Sequence, residues 1–336
     1  SQNNTGDELT YNTAVGYQSG TAITTGIRNT LIGSLTGDAL TDADYNIAIG
    51  YQALTTDTQG SRSVAIGYSA LENQNFSSAT NSNNTAVGYN AGNAVTTGIS
   101  NSFLGAYSGD ATTDGDYNVA IGTEALTTNT LGHRSVAVGV SALKTQNYGS
   151  GTNAYNVAVG YGAGEAITTG IQNTLIGGLA GTKLTDADYN VAVGVGALDL
   201  DTKGSKSTAI GYDALSTQNF TSSTDSRNTA VGYNAGKLIT TATSNVIIGS
   251  LSGDALTVGN SNTVVGDAAL TTDTQGDRAV AIGTNALATQ NFTSSTDNYN
   301  VGVGYSAGTS ITTGVQNTLL GGLAGDALTD ADDNVA

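Results

Sequence analysis

The chain has 336 residues, a formal net charge of −17 and no Pro, Cys, Met or Trp. Without cysteine it can form neither a disulfide framework nor a thiolate site. The negative charge repels phosphate backbones, and no apolar stretch approaches the ~20 residues of a transmembrane helix, so neither nucleic-acid binding nor membrane insertion by this segment is expected.

After a polar N-terminal stub, residues 1–10, one motif repeats along the rest of the chain. Its first copy is NTAVGYQSG, residues 12–20, and we number positions from the central glycine as position 0. The central glycines are Gly16, Gly33, Gly50, Gly67, Gly88, Gly105, Gly122, Gly139, Gly160, Gly177, Gly194, Gly211, Gly232, Gly249, Gly266, Gly283, Gly304 and Gly321. Their spacing is 17, 17, 17 and 21 residues, which gives a 72-residue super-repeat of four coils. Residues 11–336 are therefore predicted to form a single continuous array, truncated inside a copy and continuing past residue 336.

The residues before each central glycine read as a short β-strand. Position −1 is Val, Ile or Leu in every copy, position −3 is mostly Thr or Val, and position −2 is usually Ala. This alternation of β-branched residues is typical of strands. From their size we predict that positions −3 and −1, such as Val15, face the interior, and that Ala14 and Gly16 face outward.

The predicted outward face is still apolar or small, and a strand that is apolar on both faces needs cover on both. We therefore expect a homo-oligomer in which the Ala/Gly face meets other copies of the chain. A wider monomeric solenoid with two interior faces is the alternative.

Positions +4 and +7 indicate a packed interior. Position +4 follows the order Gly, Gly, Leu, Leu in each super-repeat; where it is Gly, position +7 is usually aliphatic, and where it is Leu, position +7 is polar. This pattern predicts one core space filled from either of two backbone positions, with Thr112 as the exception. Asn at position −4 of most coils predicts a ladder of side-chain amides. The fold class is thus all-β, a left-handed parallel β-solenoid, or β-roll, of about 18 coils with 17/17/17/21-residue spacing.

The fourth coil of each super-repeat carries four extra residues and one aromatic residue. We predict a surface loop there, which we call the excursion. Its aromatic residue could stack on sugars or contact a receptor, or could instead pack on its own loop or on a neighbouring chain. These surface-recognition candidates are Phe76, Tyr148, Phe220 and Phe292.

Asp-x-Asp sequences in the second coil are candidates for a calcium site, since Ca²⁺ prefers oxygen ligands; the alternative is that these aspartates cap backbone amides in a turn. The candidates are Asp42, Asp44, Asp114, Asp116, Asp186 and Asp188. Thr24-Thr25 and similar pairs raise an ice-binding alternative, and otherwise reflect β-propensity. The single histidine, His133, is expected to be a solvated surface residue. A near-perfect array does not bring unlike residues together, so no enzyme activity and no cofactor are expected.

The motifs NTAVGY and NTLIG, read with the Ala-Gly that follows in many copies, resemble the head repeats of trimeric autotransporter adhesins. They also resemble arrays in tail-fibre-like proteins that often end in an endosialidase-type chaperone domain. The resemblance implies a trimeric, left-handed parallel β-roll outside the cell, on a cell surface or on a virion. It implies a structural or adhesive fibre shaft that holds receptor- or glycan-binding parts at a distance. The alternatives are a subunit of a helical filament assembled end to end, and a calcium- or ice-binding solenoid.

Overall fold

A computed structural model describes residues 9–336, so most of the predicted polar stub, residues 1–8, lies outside the described part of the chain. The described residues form 26 short β-strands and no α-helix. They divide into two compact units, which meet in sequence between Ile171 and Gln172. The repeat continues through both units, with nine coils in each.

The first unit contains thirteen strands. They are β1 (Thr13–Val15), β2 (Thr30–Ile32), β3 (Ile47–Ile49), β4 (Gly60–Ser61), β5 (Val64–Ile66), β6 (Thr80–Asn81), β7 (Thr85–Val87), β8 (Ser102–Leu104), β9 (Val119–Ile121), β10 (Gly132–His133), β11 (Val136–Val138), β12 (Thr152–Asn153) and β13 (Val157–Val159). The three-residue strands form one parallel sheet, and β4–β6 and β10–β12 form two small parallel pairs. Pairing is in register, so equivalent residues of successive coils lie side by side, as do Val119 and Val136.

The second unit repeats this arrangement. Its strands are β14 (Thr174–Ile176), β15 (Val191–Val193), β16 (Gly204–Ser205), β17 (Thr208–Ile210), β18 (Thr224–Asp225), β19 (Thr229–Val231), β20 (Val246–Ile248), β21 (Thr263–Val265), β22 (Gly276–Asp277), β23 (Val280–Ile282), β24 (Thr296–Asp297), β25 (Val301–Val303) and β26 (Thr318–Leu320). The three-residue strands again pair in parallel and in register, and β16–β18 and β22–β24 are the small pairs. The predicted all-β parallel β-solenoid is confirmed; its left-handed sense and a trimeric state remain predictions.

The prediction of which strand face lies inside is wrong. Position −2 is buried in every coil from Leu31 to Leu319, whereas positions −3 and −1 are partly or largely exposed. In β9, for example, Ala120 has no exposed surface and Ile121 is 38% exposed. The 17-residue coil encloses little space, and side chains from positions +4 and +7 occupy much of it. Only a small residue fits at position −2 of most coils, so the bulky residues lie outside.

The order of residues at position +4 follows from this interior. In the second coil of the first super-repeat, Leu31 occupies position −2 and its methyl groups lie against two glycines at position +4. A Cβ on Gly20 would stand 2.8 Å from Leu31, and a Cβ on Gly37 would stand 2.9 Å from the same side chain and 2.8 Å from Leu40. Leu54, at position +4 of the third coil, is itself fully buried. The predicted exchange of volume between core positions is therefore confirmed, and position −2 takes part in it.

The central glycines are required by backbone geometry and by close stacking. Gly50 has a φ of +136°, and a Cβ on it would stand 2.2 Å from the carbonyl oxygen of Gly67 in the next coil. Residues with a side chain rarely adopt this φ, and no real Cβ approaches an oxygen so closely. Each coil thus packs directly on the backbone of the next at this corner.

The amide ladder at position −4 is present, and it connects side chains to backbone. Asn46 accepts a hydrogen bond at Oδ1 from Ser63 N in the next coil, at 2.8 Å, and its Nδ2 donates to Gly60 O at 2.9 Å. Its own backbone N donates to Asn29 Oδ1 at 2.9 Å. The side chain is fully buried, so these bonds satisfy polar groups that would otherwise be costly to enclose.

Candidate interaction faces

Each unit has a uniform surface on the outer face of its main sheet, formed by positions −3 and −1 of its nine coils; we call it the outer sheet face. In the first unit position −1 carries Val15, Ile32, Ile49, Ile66, Val87, Leu104, Ile121, Val138 and Val159. In the second unit it carries Ile176, Val193, Ile210, Val231, Ile248, Val265, Ile282, Val303 and Leu320. None of these side chains is buried.

The outer sheet face is also free of charge, although the chain as a whole carries −17. Position −3 holds Thr, Val, Ile or Ser in all coils, so no Asp, Glu, Lys or Arg occurs at either position. Soluble monomers rarely expose a contiguous apolar surface of this kind, and such surfaces mark interaction sites. The acidic residues of the chain lie elsewhere on the coil.

The strands set the size of this face. Nine coils at ~4.8 Å each and three strand residues at ~3.3 Å give roughly 430 Å² per unit. Stable protein interfaces bury about 800 Å² on each partner. The outer sheet face of one unit therefore supplies about half of the surface that a stable interface buries.

Exposed tyrosines continue the surface immediately after the strands. Tyr51, Tyr68 and Tyr89 occupy position +1 of successive coils and are 43%, 46% and 47% exposed. Their ring centroids are 5.4 Å and 5.1 Å apart, with the rings nearly parallel. In the second unit Tyr212 and Tyr233 stack at 5.5 Å in the same way.

A second column of tyrosines alternates with arginines at position −5. The Arg28 guanidinium lies 5.9 Å from the Tyr11 ring centroid and 5.2 Å from that of Tyr45. Arg134 lies between Tyr117 and Tyr155 in the same way, at 5.4 Å and 5.8 Å. These cation–π contacts hold neighbouring coils together at an exposed corner, where each contributes about 0.5–1 kcal/mol.

Asp44, Asp114, Asp116 and Asp186 accept hydrogen bonds or form an ion pair at this corner. Asp44 Oδ1 accepts a hydrogen bond from Ile27 N, and Asp116 Oδ1 accepts one from Ile99 N, both at 2.8 Å. Thr97 donates to Asp114. Lys203 Nζ stands 3.7 Å from a carboxylate oxygen of Asp186.

The other two acidic candidates, Asp42 and Asp188, lie at the same corner. Thr25 donates to Asp42 at 3.5 Å, and the backbone N of Asp188 donates to Ser205 Oγ at 3.0 Å. Across residues 9–336, no group of three or more His, Cys, Asp or Glu side chains is placed to hold a metal ion. Asp44 and Asp116 cap backbone amides of an adjacent coil, as the alternative predicts.

His133 takes part in the same kind of contact. Its Nδ1 accepts a hydrogen bond from Asp116 N at 2.8 Å and lies 3.6 Å from the Asp116 carboxylate. With Tyr117, Arg134 and Asn153 these residues line a shallow groove of about 120 Å³. The side chain is only 21% exposed, so it is partly covered by its neighbours and less solvated than the sequence suggested.

The four aromatic recognition candidates are not on the surface. Phe76, Phe220 and Phe292 are each 6% exposed, and Tyr148 is 5% exposed. The ring of each excursion points back into the solenoid, while the following residues, such as Ser77 and Ser78, are exposed. The predicted surface position of these rings is wrong, because the interior beneath each loop has room for one large side chain. The rings pack against the coil below, as Phe76 does against Gly60.

Sequence reasoning missed a buried polar network beneath each excursion. Asp57 Oδ1 accepts from Gly60 N at 2.9 Å and Phe76 N at 3.2 Å, and its Oδ2 accepts from Gln74 Nε2 at 2.6 Å. Gln74 in turn accepts from Asn84 Nδ2 at 2.8 Å. All these polar side chains are fully buried. The network fixes the ring and the loop to the coils below.

In the sequence, this network could have been recognised from the same polar residue types recurring every 72 residues. The pairs at position +7 of the third and fourth coils are Asp57 and Gln74, Asn129 and Gln146, Asp201 and Gln218, and Asp273 and Gln290. Where Asn129 replaces aspartate, the aromatic is Tyr148, whose hydroxyl donates to Gly170 O at 2.7 Å. Burial raises the pKa of Asp57 and of Asp273, and hydrogen bonds from glutamine side chains and backbone amides oppose that rise.

No protein-family model matches the chain, and no curated protein matches it in sequence. Within residues 9–336 no helix has the length and apolar character needed to cross a membrane. The functional argument therefore depends on the faces described above.

Proposed function

We propose that this chain is the shaft of a structural or adhesive fibre, built by association of identical chains through their outer sheet faces. The observation that carries the proposal is the uncharged, β-branched outer sheet face on a repeating solenoid. A surface with one apolar row every ~4.8 Å is matched in period by another copy of itself. The chains otherwise repel each other through their charge, so this face is where they can approach closely.

The resemblance to adhesin heads and tail-fibre-like arrays supports three chains per fibre, and a location outside the cell, on a cell surface or on a virion. On this proposal the segment acts as a spacer and has no catalytic role. Receptor- or glycan-binding parts would be held at a distance by it.

The test is the oligomeric state of the folded chain by sedimentation equilibrium. A trimer of this 33.5 kDa chain has a mass of about 100 kDa. In Ile248→Lys, a charge on the outer sheet face is expected to convert the trimer to monomer, because an unpaired charge in an interface is costly. Ile248 is 39% exposed, so the variant should keep its circular dichroism spectrum.

The matched control is Leu238→Lys. Leu238 is 46% exposed and lies at position +6, off the outer sheet face. This variant should remain trimeric. A folded wild-type chain that sediments as a monomer would contradict the proposal, and mass that grows without limit with concentration would favour the end-to-end filament instead.

A further inference from the structure

The tyrosines stacked at position +1 are placed for a covalent modification. Tyr68 lies between Tyr51 and Tyr89, with ring centroids at 5.4 Å and 5.1 Å and interplanar angles of 23° and 12°. Tyr212 and Tyr233 repeat the arrangement at 5.5 Å and 14°. Each ring is between 43% and 53% exposed, so a small oxidant can reach it and the side chain has room to rotate.

The chain lacks the side chains that would compete with tyrosine for an oxidant. The chain has no Cys, Met or Trp, while it has 16 tyrosines. Cysteine and methionine are the usual sinks for oxidising equivalents in proteins. In this chain tyrosine is the readily oxidised side chain, and the stacked columns bring tyrosines of successive coils together in pairs.

We propose that one-electron oxidation joins the stacked tyrosines of successive coils by dityrosine bonds within one chain. The oxidant is of the haem peroxidase class, regenerated by hydrogen peroxide. Each of two phenols gives one electron to the oxidised haem and its hydroxyl proton to water. The two phenoxyl radicals couple through their ring carbons ortho to oxygen, and the two ring hydrogens return through water to the oxygens as the rings regain aromaticity. Per bond, the pair loses two electrons and two protons, and one hydrogen peroxide is reduced to two waters.

Such bonds would join one coil covalently to the next. A bond between Tyr51 and Tyr68 spans one 17-residue coil, and one between Tyr68 and Tyr89 spans a 21-residue coil. Cross-links of this kind limit the conformations of the unfolded chain, as disulfides do, and this chain has no cysteine with which to form disulfides. The inference does not depend on the proposed self-association, because both partners of each bond belong to the same chain.

The experiment treats the full chain with a haem peroxidase and hydrogen peroxide, then separates the products under denaturing conditions. We expect dityrosine fluorescence in the band with monomer mobility. Peptide mapping should find the cross-link, with the loss of two hydrogens, between Tyr51 and Tyr68, Tyr68 and Tyr89, or Tyr212 and Tyr233. The oxidised chain should also unfold at a higher denaturant concentration than the untreated chain.

A triple and a double variant are compared. Tyr68→Phe with Tyr107→Phe and Tyr233→Phe keeps the aromatic rings but removes one phenol from each close pair, including the edge-to-face pair Tyr89 and Tyr107 at 5.3 Å. It should lower the monomer-band fluorescence about fivefold or more. Tyr117→Phe with Tyr155→Phe removes tyrosines that are separated by Arg134, and should leave the fluorescence unchanged. Equal losses in both variants, or dityrosine confined to dimer and trimer bands, would overturn the inference.

Discussion

In strand β9, Ala120 has no exposed surface, whereas the next residue, Ile121, is 38% exposed. The same contrast holds between the inner and outer faces of the sheet in both units. Size and hydrophobicity do not decide which residue is buried here; the space inside a 17-residue coil does. In these strands the large aliphatic residues at position −1 lie outside, where they are available to another chain, whereas Leu54 at position +4 is fully buried.

The largest loss of stability is expected at the central glycine that follows each strand, because the next coil leaves no room for a side chain there. Gly50→Ala combines a φ of +136° with a Cβ 2.2 Å from Gly67 O. Backbone strain of about 1–3 kcal/mol and overpacking of a similar size should together cost about 4 kcal/mol or more. Chemical denaturation of the variant measures this loss.

Two further glycine variants separate these causes. Gly196 has a φ of +68°, and its Cβ position meets only the Asp213 carboxylate, the end of a flexible side chain, so Gly196→Ala should show mainly backbone strain, about 1 kcal/mol. Gly178 has neither feature, and Gly178→Ala should change stability by less than about 0.5 kcal/mol. Similar losses in all three variants would show that stacking is not the cause.

The next largest change in stability compares the inner and outer faces of strand β9. Ala120→Leu adds bulk to a filled interior and should destabilise the chain by about 1–3 kcal/mol. Ile121→Ala removes a larger group from the outer face and should cost under about 1 kcal/mol in a monomeric background such as Ile248→Lys. Thermal unfolding of both variants ranks them. The reverse order would mean that position −1, as the sequence first suggested, is the interior position.

The sequence allowed the solenoid, its coil boundaries and the exchange of volume between positions +4 and +7 to be predicted, because each depends on periodicity. The direction of the strand faces could not be predicted, since Ala at position −2 and Val at position −1 are both compatible with burial. Phe76 is predicted in a surface loop because the fourth coil carries four extra residues, and that spacing does not show which way the ring points. Its neighbour Gln74 is polar yet buried, through its hydrogen bonds with Asp57 and Asn84.

A gain in stability, smaller in size than the losses above, is expected at Thr112, an irregular residue of the inner core. Thr112 occupies position +7, where the other second coils carry Leu, and position −2 of its coil is the larger Phe103. Within the described residues, its Oγ1 is one of three buried side-chain atoms without a hydrogen-bond partner. Thr112→Val keeps the volume and removes the unpaired hydroxyl, so it should stabilise the chain by about 1 kcal/mol in denaturant unfolding.

The companion variant is Thr112→Leu, which matches the other second coils but leaves Phe103 in place. It should be less stable than Thr112→Val, because Phe103 already fills the shared space. If both variants are equally stabilising, the threonine is not a response to the size of Phe103.

The smallest effect concerns the buried carboxyls beneath the excursions. The folded state raises the pKa of Asp57 and Asp273, so it binds their protons more tightly than the unfolded state does. As pH rises from the ordinary carboxyl value of about 4 through the raised value, the unfolded state ionises first and these groups lose their favourable contribution. Above that window their contribution is constant. Their effect is therefore opposite in sign to that of salt-bridged carboxylates.

The double variant Asp57→Asn with Asp273→Asn removes both carboxyls and so isolates their pH-dependent contribution to stability. Asn129 shows that the network accepts an amide at this position. The stability difference between wild type and variant, measured by denaturant unfolding from about pH 4 to pH 7, should shift towards the variant as pH rises. Carboxylates elsewhere titrate in both proteins and cancel in the difference. A difference that stays constant over this range would mean that these two carboxyls have the same proton affinity in the folded and unfolded chain.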